Sequence, residues 1–207
     1  IALDASSGTP CSSFGVEGTV GLRHGLRIPP AFPHAYLVTS PPAVINGLVI
    51  TGSTVADNSR PAPASGEVRA FDARSGTLRW TWDPIPQSTG DPAYATWRNG
   101  SAARTGGANV WSIIAADEPR DLVFLPTSSP APDYYGALRP GENRYANSIV
   151  ALRASTGQVA WHFQTVHHDL WDYDNAAPPA LVSIARDGRN IPAVLQAGTA
   201  VLVDRYG

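Results

Sequence analysis

Apolar residues in this chain come in short runs broken by glycine, proline, aspartate and serine. The runs at residues 43–51, 122–127 and 191–203 have strand length, and no window of a dozen residues carries the apolar spacing of an amphipathic helix. One phrase recurs. Ala70-Phe71-Asp72-Ala73-Arg74-Ser75-Gly76-Thr77-Leu78-Arg79-Trp80 is echoed by Ala151-Leu152-Arg153-Ala154-Ser155-Thr156-Gly157-Gln158-Val159-Ala160-Trp161. Ala2-Leu3-Asp4-Ala5-Ser6-Ser7-Gly8 restates its first half, and Val203-Asp204-Arg205-Tyr206-Gly207 reads as a decayed fourth copy. Each copy predicts a strand, a polar turn closed by glycine at positive φ, and a second strand. The tryptophan opens the outgoing strand and is placed to pack on the next unit. The closing glycines at 8, 76 and 157 lie 68 and 81 residues apart, roughly twice the ~40–45 residues of a four-stranded propeller blade. The pattern therefore predicts an all-β chain in which residues 1–207 form a single β-propeller segment of about four blades, fewer than most closed rings hold. An irregular β-sandwich with accidental self-similarity is the competing architecture.

Composition narrows the functions. A net charge of −2 and a pI near 6.2 give no footprint for nucleic acid or an anionic membrane, and no apolar run reaches the ~20 residues of a membrane helix. A single cysteine, Cys11, excludes an internal disulfide framework. All 15 basic residues are arginines, so no lysine is available for a Schiff base or proton transfer. The chain has no methionine, opens at Ile1-Ala2-Leu3 and shows no signal sequence, which reads as a processed or partial sequence.

The densest chemistry lies in His167-His168-Asp169-Leu170-Trp171-Asp172-Tyr173-Asp174. Three carboxylates, two imidazoles and two aromatic rings stand together in a chain of which 15% is charged. Such a cluster is costly to fold unless a cation or a general base uses the charge; an exposed polar turn is the plain alternative.

The tryptophan-bearing repeat, with Thr39-Ser40-Pro41-Pro42, Asn109-Val110-Trp111-Ser112 and Thr165-Val166-His167-His168-Asp169-Leu170-Trp171-Asp172, resembles the pyrroloquinoline quinone (PQQ)-dependent dehydrogenases, in particular their glucose and quinate dehydrogenase branch. The resemblance implies an eight-bladed propeller of tryptophan-docked, four-stranded blades, of which this chain looks like the N-terminal half, with PQQ and a divalent cation on its axis. Ca²⁺ is implied ahead of a lanthanide or Mg²⁺.

Site residues follow from the resemblance position by position. Asp172 matches the catalytic base; its alternative role is to cap a turn after Trp171. Asp57 matches the acidic metal ligand, although Asp57-Asn58-Ser59 also suits an Asx-turn. Ser129, in Ser128-Ser129-Pro130, stands where alcohol-oxidising relatives place a ligand asparagine, and a hydroxyl is a poorer calcium ligand than an amide carbonyl. Asp174 lies two residues beyond Asp172, on the same side of an extended segment, and is a possible second carboxylate for the ion. Trp111 matches the floor beneath the quinone, its alternative being an ordinary blade-docking tryptophan. Thr39 and Thr54 match hydroxyls that contact PQQ, and Arg104 is placed only by proximity as a partner for a PQQ carboxylate. His167 and His168 resemble a metal pair, yet neighbours on a strand face opposite sides.

The function so implied is oxidation of an alcohol group of a sugar, polyol or alicyclic alcohol, with electrons passed to a membrane quinone or a cytochrome, in the periplasm. One departure is marked. Glucose-type relatives carry a lysine near the quinone oxygens, where this chain has a shorter Gln196-Ala197-Gly198. A non-catalytic binding or scaffold propeller descended from such enzymes is the alternative function.

Overall fold

The computed structural model describes residues 1–59, 62–198 and 202–205. Its strands are β1 (Tyr36–Leu37), β2 (Ala43–Ile45), β3 (Leu48–Thr51), β4 (Thr54–Val55), β5 (Val68–Asp72), β6 (Leu78–Trp82), β7 (Ala115–Asp117), β8 (Leu122–Pro126), β9 (Ser148–Arg153), β10 (Val159–Gln164), β11 (Ala180–Arg186), β12 (Arg189–Gln196) and β13 (Leu202–Arg205). Two four-stranded antiparallel meanders, β2-β3-β5-β6 and β7-β8-β9-β10, are followed by a three-stranded sheet β11-β12-β13; β1 and β4 form a small separate ladder. The only α-helix among the described residues is one turn, Ser101–Arg104.

The turns of the first three copies of the repeat fold alike. In each, the glycine amide closes the turn on the residue four before it: Gly8 on Asp4, Gly76 on Asp72 and Gly157 on Arg153, all at 2.8 Å. Those glycines have φ of +71°, +70° and +73°, a region that L side chains enter only at a cost. The second and third copies form the β5-β6 and β9-β10 hairpins; the first closes with a single bridge, Leu3 to Pro10. Of the decayed fourth copy, residues 203–205 lie in β13, and Tyr206 and Gly207 lie outside the described residues. The run at 43–51 is itself a hairpin, because Asn46 and Gly47 both take positive φ and turn β2 into β3.

Stacking of the sheets makes the core. Val123, Leu125, Val150 and Leu152 of the central sheet pack against Ile45, Ile50, Val68 and Ala70 of the first. The alternate residues Leu122, Phe124, Ile149 and Ala151 pack with Val194 of the third. A sheet covered on both faces needs a continuous apolar run instead of alternation, and this is what β8 and β9 present. Trp80 docks the first sheet to the second: its indole Nε1 donates to the Ala154 carbonyl at 2.8 Å, and its ring lies directly over Gly157. The architecture is that of stacked, tryptophan-docked blades of a partial β-propeller. Where spacing predicts about four units, the described sheets are two of four strands and one of three. The interval between the second and third copies spends its extra length on two long connections, 83–114 and 127–147, and not on further strands.

Connections alternate between the two ends of an antiparallel meander. The tight turns at 46–47, 73–77, 118–121, 154–158 and 187–188 fall at one end. The long segments 52–67, 83–114, 127–147 and 165–179 fall at the other, and the candidate site residues lie on these segments or on the approach to β2.

Candidate active site

Four loops meet at this end and are stitched by buried polar side chains. Asn109 Nδ2 donates to the Ser53 carbonyl at 2.7 Å, and its Oδ1 accepts from Ser128 Oγ at 3.1 Å. Ser53 N donates to the Val110 carbonyl, and Ser40 Oγ donates to the Trp111 carbonyl. These bonds fix Trp111 at the junction. Its indole Nε1 donates to Asp174 Oδ2 at 2.7 Å, while Asp174 Oδ1 accepts from Ser129 N at 2.7 Å. Asp174 therefore ties the 165–179 loop to the two loops before it.

Behind this contact is a second junction. Asp169, 2% exposed, accepts at Oδ2 from Ser129 Oγ (2.6 Å), Asn147 Nδ2 (3.2 Å) and Tyr173 N (2.8 Å) and at Oδ1 from Trp171 N (3.1 Å). Asn147 Nδ2 also reaches Ser129 Oγ at 2.9 Å. Beneath both loops lies fully buried Arg139, whose guanidinium donates to the carbonyls of Pro132, Asp133 and Asp169 and to Asn143 Oδ1. One cation thus gathers the 127–147 and 165–179 loops through their backbones.

On this frame four carboxylates interact. Asp172 has a backbone φ of +59°, uncommon for a residue with a side chain, and its Oδ2 accepts from Tyr134 OH at 3.1 Å. Asp57 opens a 3₁₀ turn and is half-buried; burial, then the charges of Asp174 and Asp172, push its carboxyl up to about 6. Burial also raises Asp174, against the pull of its bonds from Ser129 and Trp111. Asp133 is 1% exposed, and neither of its carboxylate oxygens has a hydrogen-bond partner. Burial, then the charges of Asp57, Asp172 and Asp174, drive it up to about 8. Like charges held together in this way favour the neutral acid or an added cation. Among the described residues no three His, Cys, Asp or Glu side chains are grouped so that they could hold a metal ion.

Of the sequence-predicted residues, Trp111, Ser129 and Asp174 are joined directly by hydrogen bonds, Asp172 is bonded to Tyr134, and Asp57 is linked to Asp172 and Asp174 only through their charges. Ser129 is wholly buried, with its hydroxyl bonded to Asp169 and Asn147. Thr39 and Thr54 meet each other, Oγ1 to Oγ1 at 2.6 Å, beside the Ser40 that holds Trp111. Arg104 stands apart, its guanidinium bonded to the carbonyls of Asn99 and Leu138. The two histidines diverge: His168 Nδ1 pairs with the Gly141 carbonyl at 2.7 Å, and His167 is exposed. Gln196 is fully buried, its Nε2 donating to the carbonyls of Ala177 and Ala197. Asp133, Asn147 and Arg139 were not legible as site residues, and Asp169 stood in the acidic cluster at 167–174 without a role of its own. The one local signal was Asp133 itself, the sole charge in Ser129-Pro130-Ala131-Pro132-Asp133-Tyr134-Tyr135.

Residues 1–202 match the family model described as PQQ: glucose/ethanol/alcohol dehydrogenase, β-propeller domain. The chain belongs to that family. This quinoprotein propeller is 38% identical over 215 residues to the glycerol dehydrogenase large subunit of Gluconobacter oxydans (strain 621H), covering 99% of this chain and 28% of that one. It is 36% identical over 209 residues to the quinoprotein glucose dehydrogenase of Escherichia coli (strain K12), covering 99% and 26%. Among solved structures, the quinohemoprotein alcohol dehydrogenase ADHIIG of Pseudomonas putida HK5 superposes with a TM-score of 0.77 at 26% identity, over 97% of this chain and 29% of that one. The propeller chain thus spans roughly a quarter of the length of these curated relatives. Among the described residues no helix is long and apolar enough to cross a membrane.

The residues suit a hard cation by chemistry: the donors are oxygens, and two buried oxygens of Asp133 are without a partner. They also suit a flat quinone, since the half-buried indole of Trp111 is fixed at both its ring nitrogen and its backbone.

Proposed function

We propose that this chain forms one wall of the active site of a PQQ-dependent dehydrogenase that oxidises the CH–OH group of a sugar, polyol or alicyclic alcohol. The observation that carries the reading is the bond of Asp174 to Trp111 at the long-loop end of the blades, where the charges of Asp174 and Asp172 also act on Asp57. Kinship with glycerol, glucose and quinate dehydrogenases supports the substrate class. PQQ, when bound, supplies the two-electron acceptor for the hydride leaving carbon.

Trp111 provides the floor for the quinone, with Thr39 and Thr54 supplying hydroxyls near it. Asp57, Asp172 and Asp174 hold the cation, for which Ca²⁺ is the expected occupant. Ser129 serves Asp169 and Asp174 and contributes the frame more than a ligand. Asp172 takes the proton of the substrate hydroxyl. Tyr134 OH occupies its Oδ2, which leaves Oδ1 to receive that proton. Electrons then pass to a membrane quinone or a cytochrome, and the compartment we propose is the periplasm.

A second reading, a binding propeller without turnover, is favoured by one observation: the chain has no lysine, and the phrase corresponding to the one that carries it in glucose-type relatives is the shorter Gln196-Ala197-Gly198. The test is to add PQQ and Ca²⁺, follow the quinone absorbance, and measure dye reduction with glucose, glycerol and quinate. Asp172→Asn should lower turnover by about 10²–10⁴-fold with PQQ still bound. Undiminished turnover removes Asp172 from the base role, and quinone binding without dye reduction by any substrate favours the second reading.

A further inference from the structure

One contact in the site involves more than its hydrogen bond. Tyr134 OH donates to Asp172 Oδ2 at 3.1 Å, yet Tyr134 is 65% exposed. A solvent-facing tyrosine on its own is ordinary. Here the polar end is committed to Asp172, and the part left open is the ring.

That ring is also held in place. Fully buried Arg139 donates to the carbonyls of Pro132 and Asp133, just before Tyr134, and Tyr135 N donates to the Pro132 carbonyl. Two residues on, Gly136 is buried against the acidic loop, and a Cβ there would run into His168 and Leu170. The turn that bears Tyr134 is thus seated on the loop that bears Asp172, and the phenol oxygen ties the two together. With backbone and hydroxyl both fixed, little side-chain freedom is left to lose when a ligand covers the ring. Trp171 and Tyr173, on either side of Asp172 in the chain, are exposed as well. An aromatic surface of this kind marks a ligand site.

A substrate hydroxyl that gives its proton to Asp172 Oδ1 comes within about 2.6–3.2 Å of it. The two oxygens of one carboxylate are separated by a single carbon, and the Tyr134 ring begins one C–O bond beyond the hydroxyl held on Oδ2. A substrate seated on Oδ1 therefore lies beside that ring. Resting on the reading of Asp172 as the base, we propose that Tyr134 is a specificity-determining residue. Its ring stacks on the C–H face of a cyclic substrate, a pyranose or a hydroxylated cyclohexane, and favours it over an open-chain polyol. A six-membered ring gathers several C–H bonds on one face, and their weakly positive hydrogens suit the negative face of an aromatic ring. Glycerol, with a hydroxyl on every carbon, presents no such face.

The competing role for Tyr134 is a hydrogen-bond donor to Asp172 and nothing more. Two variants of the whole chain, supplied with PQQ and Ca²⁺, separate the roles through kcat/KM for glucose and for glycerol. Tyr134→Phe keeps the ring, so both substrates should slow alike and their ratio should hold. Tyr134→Ala removes the ring, and the glucose-to-glycerol ratio should fall by roughly three- to tenfold. The same ratio in wild type and both variants overturns the assignment and leaves Asp172 as the base. Ring contact can also be read without turnover, by NMR of chain labelled in its tyrosine rings. The Tyr134 signals, identified by their absence from Tyr134→Ala, should shift on titration with glucose and not with glycerol. No shift, or an equal shift with glycerol, overturns the stacking. A glucose-specific shift in a chain that turns over no substrate supports the stacking and sinks the dehydrogenase reading.

Discussion

At the scale of single residues, the site depends on how Asp172 is presented. Its φ of +59° is a conformation that Asn and Asp tolerate better than other side chains, which makes Asn the substitution that removes charge without moving the backbone. Tyr134 is 65% exposed, yet its hydroxyl holds Asp172 Oδ2 at 3.1 Å. Tyr134→Phe should therefore leave PQQ binding unchanged and cost about tenfold in turnover, the worth of one hydrogen bond to a charged group at the low end of its range. An unaltered rate would detach Tyr134 from Asp172. Asp57, Trp111, Asp172 and Asp174 were legible because each sits in a phrase with its own sequence character. Asn147 and Arg139 stand in no such phrase, and Asp169, although it lies in the acidic phrase, joins its local turn to Ser129 and Asn147 of another loop. Asp169 meets Ser129 across 40 positions, and no local spacing encodes such an encounter.

Among elements, the repeated hairpin contains its own controls. Gly8 and Gly157 share nearly the same φ, but a Cβ on Gly8 meets nothing within 4 Å, whereas one on Gly157 lands 2.7 Å from the Trp80 ring. Gly8→Ala should cost about 1–2 kcal/mol for the backbone alone. Gly157→Ala adds overpacking at the blade joint and should cost about 2–5 kcal/mol in all; equal losses in thermal melts would mean that Trp80 does not dock there. The turn aspartate is a second handle. Asp72 Oδ1 accepts from Arg74 N, Ser75 N and Ser75 Oγ, and these bonds lower its pKa. A depressed carboxyl stabilises the fold above its unfolded pKa, and the gain disappears as pH falls through the folded value. Asp72→Asn should therefore melt below the wild type at neutral pH and converge with it in acid; a constant gap would refute the linkage. Arg153 occupies that position in the third copy, and Asp121 from the neighbouring turn reaches in to bond Ser155 instead. The repeat was legible because its turn is local. This substitution across strands was not, because the replacement lies 34 positions away.

At the scale of the whole molecule, a meander that sends every tight turn to one end must send every long loop to the other. Blade stacking and site building are thus separate tasks on separate ends. The apolar faces of β8 and β9 hold the blades together, while the loop end gathers four carboxylates whose charges oppose one another. A structure that keeps such a repulsion stands to gain when a cation enters, because binding to the folded state alone stabilises by RT ln(1 + [L]/Kd). Ca²⁺ at about 100 times its dissociation constant should contribute about 2.7 kcal/mol, or roughly 5–10 °C in melting temperature for a chain of this size. The rise should saturate with concentration, reverse with chelator, and shrink in Asp57→Asn, because that variant removes one of the interacting charges from the loop end and leaves the blade joint at Trp80 untouched. A melting temperature indifferent to Ca²⁺, or an equal rise in Asp57→Asn, would show that the repulsion among these carboxylates is relieved in some way other than by an ion.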